Sequence, residues 1–244
     1  MRIFLSICSL LLTACHTADQ PAAETLETGW YPILTQNRRF VYAARWYAPG
    51  ATTATLDTVV LTAFGKPLRW YPPQMAYEWL FRHIDTTATS GPKEVAGAFD
   101  RPDKFWLHPP RNGHYSILEL NPFPDIQLPA TVGAMWTWPL DVGSHYANPA
   151  WAEWQGNLHI DYRYQLADST LLPTPLGRGR LLCYRVQATG TSKLGATALE
   201  SYFNAKYGFV RLNYQNIDHS RLELELVSVT SRPVLDRAIF SKHL

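Results

Sequence analysis

Four histidines stand where their type and spacing could do chemistry: His108, His114, His145 and His159. His159 and Asp161 are two residues apart, so on an extended strand they share a face and could position a metal ion or a proton-transfer pair. Arg163 and Gln165 complete that same face, which makes a solvent-facing polar row the plainer reading. His108 and His114 flank a Pro-Pro-Arg-Asn-Gly run and read as turn residues rather than ligands. Glu119, Asp125, Asp141 and Glu153 supply carboxylates. A glycosidase pair must sit about 5–9 Å apart across a cleft, and chain position does not set that distance. Trp136 and Trp138 share a strand face, and Trp151 and Trp154 follow, with Tyr146 between the pairs. Exposed indoles would stack on sugar rings, and indoles around a cavity would line a lipid site. Core packing is their ordinary use, since each buries about 150–250 Å². These four tryptophans are the candidate ligand-binding residues. The sequence contains no Gly-x-Ser-x-Gly elbow, no phosphate-binding glycine loop and no His-Glu-x-x-His helix. No catalytic residue, metal ligand or cofactor is assigned, and the chain reads as a non-enzyme.

The side chain with the most specific setting is Cys15. Arg2 precedes an apolar run from Ile3 to Leu12, interrupted only by small residues. That run has the ~7–15 residues a secretory signal needs and falls short of the ~20 that span a membrane. Leu12-Thr13-Ala14-Cys15 resembles the lipobox of bacterial lipoproteins. The resemblance implies a diacylglyceryl thioether on Cys15 and cleavage of the bond before it. Several acyl chains then hold a membrane stably, where one would hold it weakly. The organisation expected is a signal peptide over 1–14, a flexible tether over 15–27 and one domain over 28–244. Thr17 to Glu24 are small and polar, as a tether requires. His16 occupies the position where an Asp would favour retention in the inner membrane, so an outer-membrane anchor is expected. Cys8 leaves with the signal and Cys15 is alkylated, which leaves Cys183 without an intramolecular disulfide partner.

The net charge of +2 falls to +1 when Arg2 leaves with the signal, and the basic residues are scattered. Nucleic acid is a poor fit to such a surface. Aromatic residues make up 13% of the chain and prolines number 18. That balance favours short strands and turns over helices. Leu222-Glu223-Leu224-Glu225-Leu226 alternates strictly, as does the run from His159 to Leu166, so each predicts a strand with one buried face. Val210, Leu212 and Tyr214 alternate in the same way. The turn-forming residues 215–220 predict a hairpin between that strand and the next. Leu182 to Ala188 continues the theme. Further strands are expected over Phe40–Tyr47, Leu56–Phe64, Tyr77–Ile84, Ser116–Leu120 and Leu199–Phe203. Met75–His83 fits a short helix as well as a strand, and the N-terminal third reads as the looser part. The fold class expected is all-β: an antiparallel meander forming a strongly curved sheet or open barrel, with few short helices.

The stretch from Gly190 to Gly195, Ser201-Tyr202-Phe203-Asn204 and Tyr207-Gly208-Phe209-Val210 resembles a group of uncharacterised Gram-negative bacterial lipoproteins. His114 to Leu120, Pro122-Phe123-Pro124 and the Trp136–Trp154 region fit the same group. The resemblance covers about half the chain and brings no catalytic residue with it. More distantly, the meander is similar to the curved sheets of lipoprotein carriers, whose apolar cavity holds acyl chains. The expectation is a non-catalytic envelope protein, anchored to the membrane by its lipid. Its partner would be a lipid-like ligand in an apolar groove, or another envelope protein. A carbohydrate-binding module with outward tryptophans is the alternative, and an envelope hydrolase the weakest rival.

Overall fold

Leu158, Ile160, Tyr162, Tyr164 and Leu166 are buried, while His159, Asp161, Arg163 and Gln165 between them are exposed. One apolar face and one wet face per strand is the rule by which the chain is built. The computed structural model describes residues 30–83, 92–176 and 179–231. The expected signal peptide, Cys15 and the tether lie outside the described residues.

The strands of the first half are β1 (Arg38–Tyr47), β2 (Thr55–Leu68), β3 (Tyr71–His83), β4 (Lys93–Arg101), β5 (Lys104–Leu107) and β6 (Asp125–Gln127). Those of the second half are β7 (Met135–Gly143), β8 (Asn157–Pro173), β9 (Arg180–Ser192), β10 (Gly195–Asn204), β11 (Gly208–Gln215) and β12 (Arg221–Ser231). They form one curled antiparallel sheet in the order β6-β5-β4-β3-β2-β1-β12-β11-β10-β9-β8-β7. The fold is therefore all-β, an open half-barrel of two six-stranded meanders. The meanders are joined in the middle by β1 and β12, with register from Arg38↔Ser231 to Tyr47↔Arg221. The hairpin of β11 and β12 has Leu212 opposite Leu224, as the alternation predicts.

Two expectations are corrected, and one open reading is decided. Ser116–Leu120 is not a strand but the end of a 3₁₀ segment, Gly113–Leu120. Gly113 turns the chain with φ +60, and Tyr115, Ile117, Leu118 and Leu120 are buried together. Strict two-residue alternation fails there because the segment is enclosed rather than laid on a surface. Met75–His83 lies within strand β3. The described part of the N-terminal third is not loose, since β1, β2 and β3 lie at and beside the centre of the sheet.

Residues 108–124, between β5 and β6, fill the concave side of the sheet. Tyr115, Ile117, Leu118, Leu120 and Phe123 are each at most 2% exposed. Their backbone is tied to strands on both sides. Thr197 Oγ1 donates to Leu120 O (2.9 Å), and Asn121 Nδ2 donates to Gln215 O (2.9 Å). The hydroxyls of Tyr162 and Tyr164 reach Glu119 O and Phe123 O. From the other half, Tyr115 OH donates to Asp57 Oδ2 at 2.9 Å, and Tyr77 and Trp79 both donate to His108 O. A loop can be buried only if its polar backbone finds such partners. The tyrosines supply them from strand faces that are otherwise apolar.

The outer face carries a polar row instead. Arg211 donates to Glu225 at 2.8 Å, with Arg45 at 3.4 Å on the carboxylate's other oxygen. Arg185 bridges Asp168 and Glu200, and Glu200 accepts from Tyr202. Glu223 and Glu225, expected to be exposed, are half-buried under these neighbours, while Leu224 between them is fully buried. Burial alone would raise the Glu225 carboxyl, but hydrogen bonds from Arg211 and Arg45 hold it below its ordinary value.

Candidate functional site

Two of the four predicted tryptophans lie where the edges of the curled sheet face each other. β6 and β7 share no ladder, being at opposite ends of the strand order. Trp136 Nε1 crosses the gap to Asp125 Oδ2 (3.1 Å), and its ring stacks on Tyr164, with centroids 5.4 Å apart. Lys104 Nζ lies 3.0 Å from the same carboxylate oxygen. Trp138 packs against Phe123 at 5.3 Å and Trp106 at 6.0 Å. The seam is thus closed by side chains where backbone hydrogen bonds are absent. Trp154 is buried and donates to Val142 O at 3.2 Å; Trp151 is half-buried against the core. The structure therefore brings Trp136 and Trp138 together and sets Trp151 and Trp154 apart from them, in packing surroundings. The concave side, where an apolar groove was expected, is occupied by residues 108–124.

His159 sits on the exposed face of β8 between two carboxylates, with Nδ1 2.8 Å from Asp141 and Nε2 3.5 Å from Asp161. The hydrogen bond it donates to Asp141 and the charges of both acids raise its pKa. The solvent-facing polar row read from the sequence is what stands there. Among the described residues no cluster of three or more His, Cys, Asp or Glu is set to hold a metal ion.

The group that sequence reasoning missed lies around Glu119. His108, expected to be a turn residue, is carried inward by Pro109 and Pro110, which are both buried. Its Nδ1 is 3.0 Å from Pro109 O, a group that can only accept, so Nδ1 carries the hydrogen. The other nitrogen, Nε2, then faces Glu119 Oε1 at 3.2 Å as an acceptor. Glu119 Oε1 makes no hydrogen bond in the structure, and one to Nε2 would need the carboxyl proton. Burial pushes Glu119 up to about 7, against the opposing charge of Arg111. Burial, aided by Arg111, brings His108 down to about 3. Burial thus favours the neutral form of each group, the protonated carboxyl and the uncharged imidazole.

Arg111 is the hinge of this cluster. Its Nε lies 2.6 Å from Glu94 Oε1 and its backbone N–H donates to Glu94 Oε2 at 2.8 Å. The same Nε is 3.4 Å from Glu119, and Nη1 reaches Tyr146 OH at 3.3 Å. Tyr146 and Arg111 lie over the carboxyl. The arrangement sets the buried Glu119 carboxyl between Arg111 and His108. The signal that could have found it was Glu119 itself, a charged residue in an apolar run flanked by Leu118 and Leu120.

No family model and no curated protein matches the chain. Solved structures do. A protein of Parabacteroides distasonis described as a lipoprotein is 12% identical, with 82% of this chain and 98% of that one covered at a TM-score of 0.47. An exported protein of YmcC-like fold from Bacteroides fragilis is 11% identical, with coverage of 83% and 99% and a TM-score of 0.44. The hypothetical lipoprotein YmcC from Escherichia coli is 11% identical, with coverage of 80% and 89% and a TM-score of 0.35.

Proposed function

We propose that this chain is a non-catalytic protein of the bacterial cell envelope, anchored by a lipid on Cys15, which acts by binding another envelope protein. The filled interior carries the reading. Residues 108–124 occupy the concave side, and Tyr77, Tyr115, Tyr162 and Tyr164 all hydrogen-bond to that segment or from it. A hydrophobic ligand would have to displace it and leave those groups unpaired, at roughly 1–3 kcal/mol for each buried polar group. The carbohydrate alternative asks for indoles flat on the surface, whereas Trp136 and Trp154 are buried. Binding is left to the outer face, where a polar depression is lined by Arg45, Arg211, Asn213, Glu223 and Glu225 and a mixed one beside it by Gln187, Thr189, Leu199, Glu200 and Tyr214. His16 after Cys15 favours the outer membrane as the site of anchorage.

The test uses the purified full-length lipoprotein in lipid nanodiscs, titrated with a fluorescent fatty acid. The expected result is uptake no greater than that of empty nanodiscs, with tryptophan emission unchanged. A saturable signal that weakens in Trp138→Ala would replace this reading with a lipid carrier.

A further inference from the structure

One end of the sheet carries large aromatic residues that are exposed. The β2–β3 hairpin projects Trp70, 68% exposed, and Tyr71, 48% exposed. The turn of the hairpin is held from beneath, by the residue that pairs with Tyr71. Leu68 is buried, and its side chain lies over Gly97 of β4, where a Cβ would come within 2.9 Å of it. The tip is thus an aromatic pair on a supported arm. From Phe64 to Ala76 this arm contains Lys66 and Arg69, both exposed, and no Asp or Glu.

The chain enters the domain at the same end. Asn37 N donates to Ala63 O at 3.0 Å, and a Cβ at Gly65 would lie 2.5 Å from Gln36 N, so the incoming segment runs beside the arm. Its first described residues are Trp30, 41% exposed, and Tyr31, 62% exposed. Residues 16–29 separate Trp30 from Cys15. A tether of that length spans about 20 Å as a coil and at most about 50 Å when extended.

We propose that this end of the domain docks on the bilayer that holds the lipid anchor, with Trp70 and Tyr71 seated among the headgroups and Lys66 and Arg69 against anionic lipid. The proposal rests on the anchored reading of Cys15. Trp and Tyr settle at the membrane interface because their bodies are apolar while N–H and O–H reach water. Lys and Arg beside them are drawn to anionic headgroups. The short tether keeps the tip within reach of the surface, so each weak contact acts at high local concentration. The domain would then stand with this end down and the polar outer face of β8–β12 upright and open to a partner.

The test places an environment-sensitive probe on Trp70→Cys and, at the opposite end of the sheet, on Asn157→Cys, in the full-length protein. Cys183 is fully buried, and any label on Cys15 is common to both variants. Each is added to vesicles of phosphatidylethanolamine and phosphatidylglycerol carrying a doxyl-labelled lipid. The probe at 70 should shift to the blue and be quenched several-fold more than the probe at 157. Lys66→Glu with Arg69→Glu should reduce that quenching. Equal quenching at both sites, or none at 70, overturns the proposal. So does a blue shift at 70 that grows with protein concentration in the absence of vesicles, since the tip would then be a contact between copies. The mass of the N-terminal peptide reports the lipid on Cys15 separately. An unmodified Cys15 overturns the anchor, while the probes still decide the tip.

Discussion

The two meanders of this sheet meet twice, and by different chemistry. At β1 and β12 they meet through a backbone ladder, with register from Arg38↔Ser231 to Tyr47↔Arg221. At β6 and β7 they meet through the Trp136–Asp125 hydrogen bond, the packing of Trp106, Phe123 and Trp138, and the tyrosine contacts to residues 108–124. Where the backbone makes the join, the outer side chains are left to pair as Arg45, Arg211 and Glu225. Where it does not, large aromatics and buried polar groups must do the joining. The concentration of tryptophan near β7 follows from the missing ladder.

The sharpest break in the comparison is Trp136→Ala. It removes a buried ring and leaves Asp125 with one partner fewer, and should cost about 3–5 kcal/mol in denaturant unfolding. Amide exchange should rise in β5, β6 and β7 and stay unchanged in β1 and β12. Exchange rising equally at both joins would mean the seam has no independent role. At the ladder join, Leu224→Ala should cost about 2–5 kcal/mol, because Leu224 packs in the core opposite Ala44 and Leu212. Glu223→Ala at the same join should stay within about 0.5 kcal/mol, as surface changes do. Comparable losses from the two would contradict the one-faced burial of β12.

A pH experiment separates the joins further, since the titrating pair sits only in the segment that serves the seam. Glu119 is raised from 4.5 to about 7, so the folded state holds its proton longer than the unfolded chain does. Its contribution is present in full below pH 4.5 and is lost as pH rises through 7. His108 is lowered from 6.5 to about 3 and works in the opposite sense, with stability lost as pH falls from 6.5 toward 3. Between pH 4.5 and 6.5 the two slopes cancel. Glu119→Gln should remove one of them, so that stability rises with pH across that window. The difference from wild type should amount to about 3 kcal/mol between pH 4.5 and 7. Parallel curves for the two proteins would show that Glu119 does not titrate this way.

Much of the fold was legible because its signals are local. The alternations at Leu158–Leu166 and Leu222–Leu226 set which face of β8 and β12 is buried. Gln215 to Ser220 closes as the expected turn, with Asn216 N donating to Ser220 O at 2.9 Å. The pairing of β1 with β12 was not legible, because nothing in Arg38–Tyr47 names a partner at the far end of the chain. The Gly113–Leu120 segment failed for a related reason. A segment enclosed on all sides has no face for periodicity to report. The His108–Glu119 pair was hidden because its members are joined across a 3₁₀ segment, so their contact depends on a turn geometry that residue types alone do not set. The role of the tryptophans was not legible, because an indole that closes a seam and one that grips a ligand look alike in a sequence.

The central position of β1 has a consequence for how the chain is made. A chain that emerges from its amino terminus produces β1 among the first strands and β12 last. Until β12 arrives, β1 can pair with β2 but presents its other edge bare, with unpaired N–H and C=O groups in a row. That is the situation in which nascent β proteins stick to one another. β1 begins with Arg38 and Arg39 and carries Arg45 near its end. Charges along an exposed strand edge discourage pairing with a stranger. Arg45 and Arg38, which in the folded chain face Glu225 and the backbone of Ile33 and Lys206, stand on that waiting edge, where their charge works against pairing with another chain until β12 arrives.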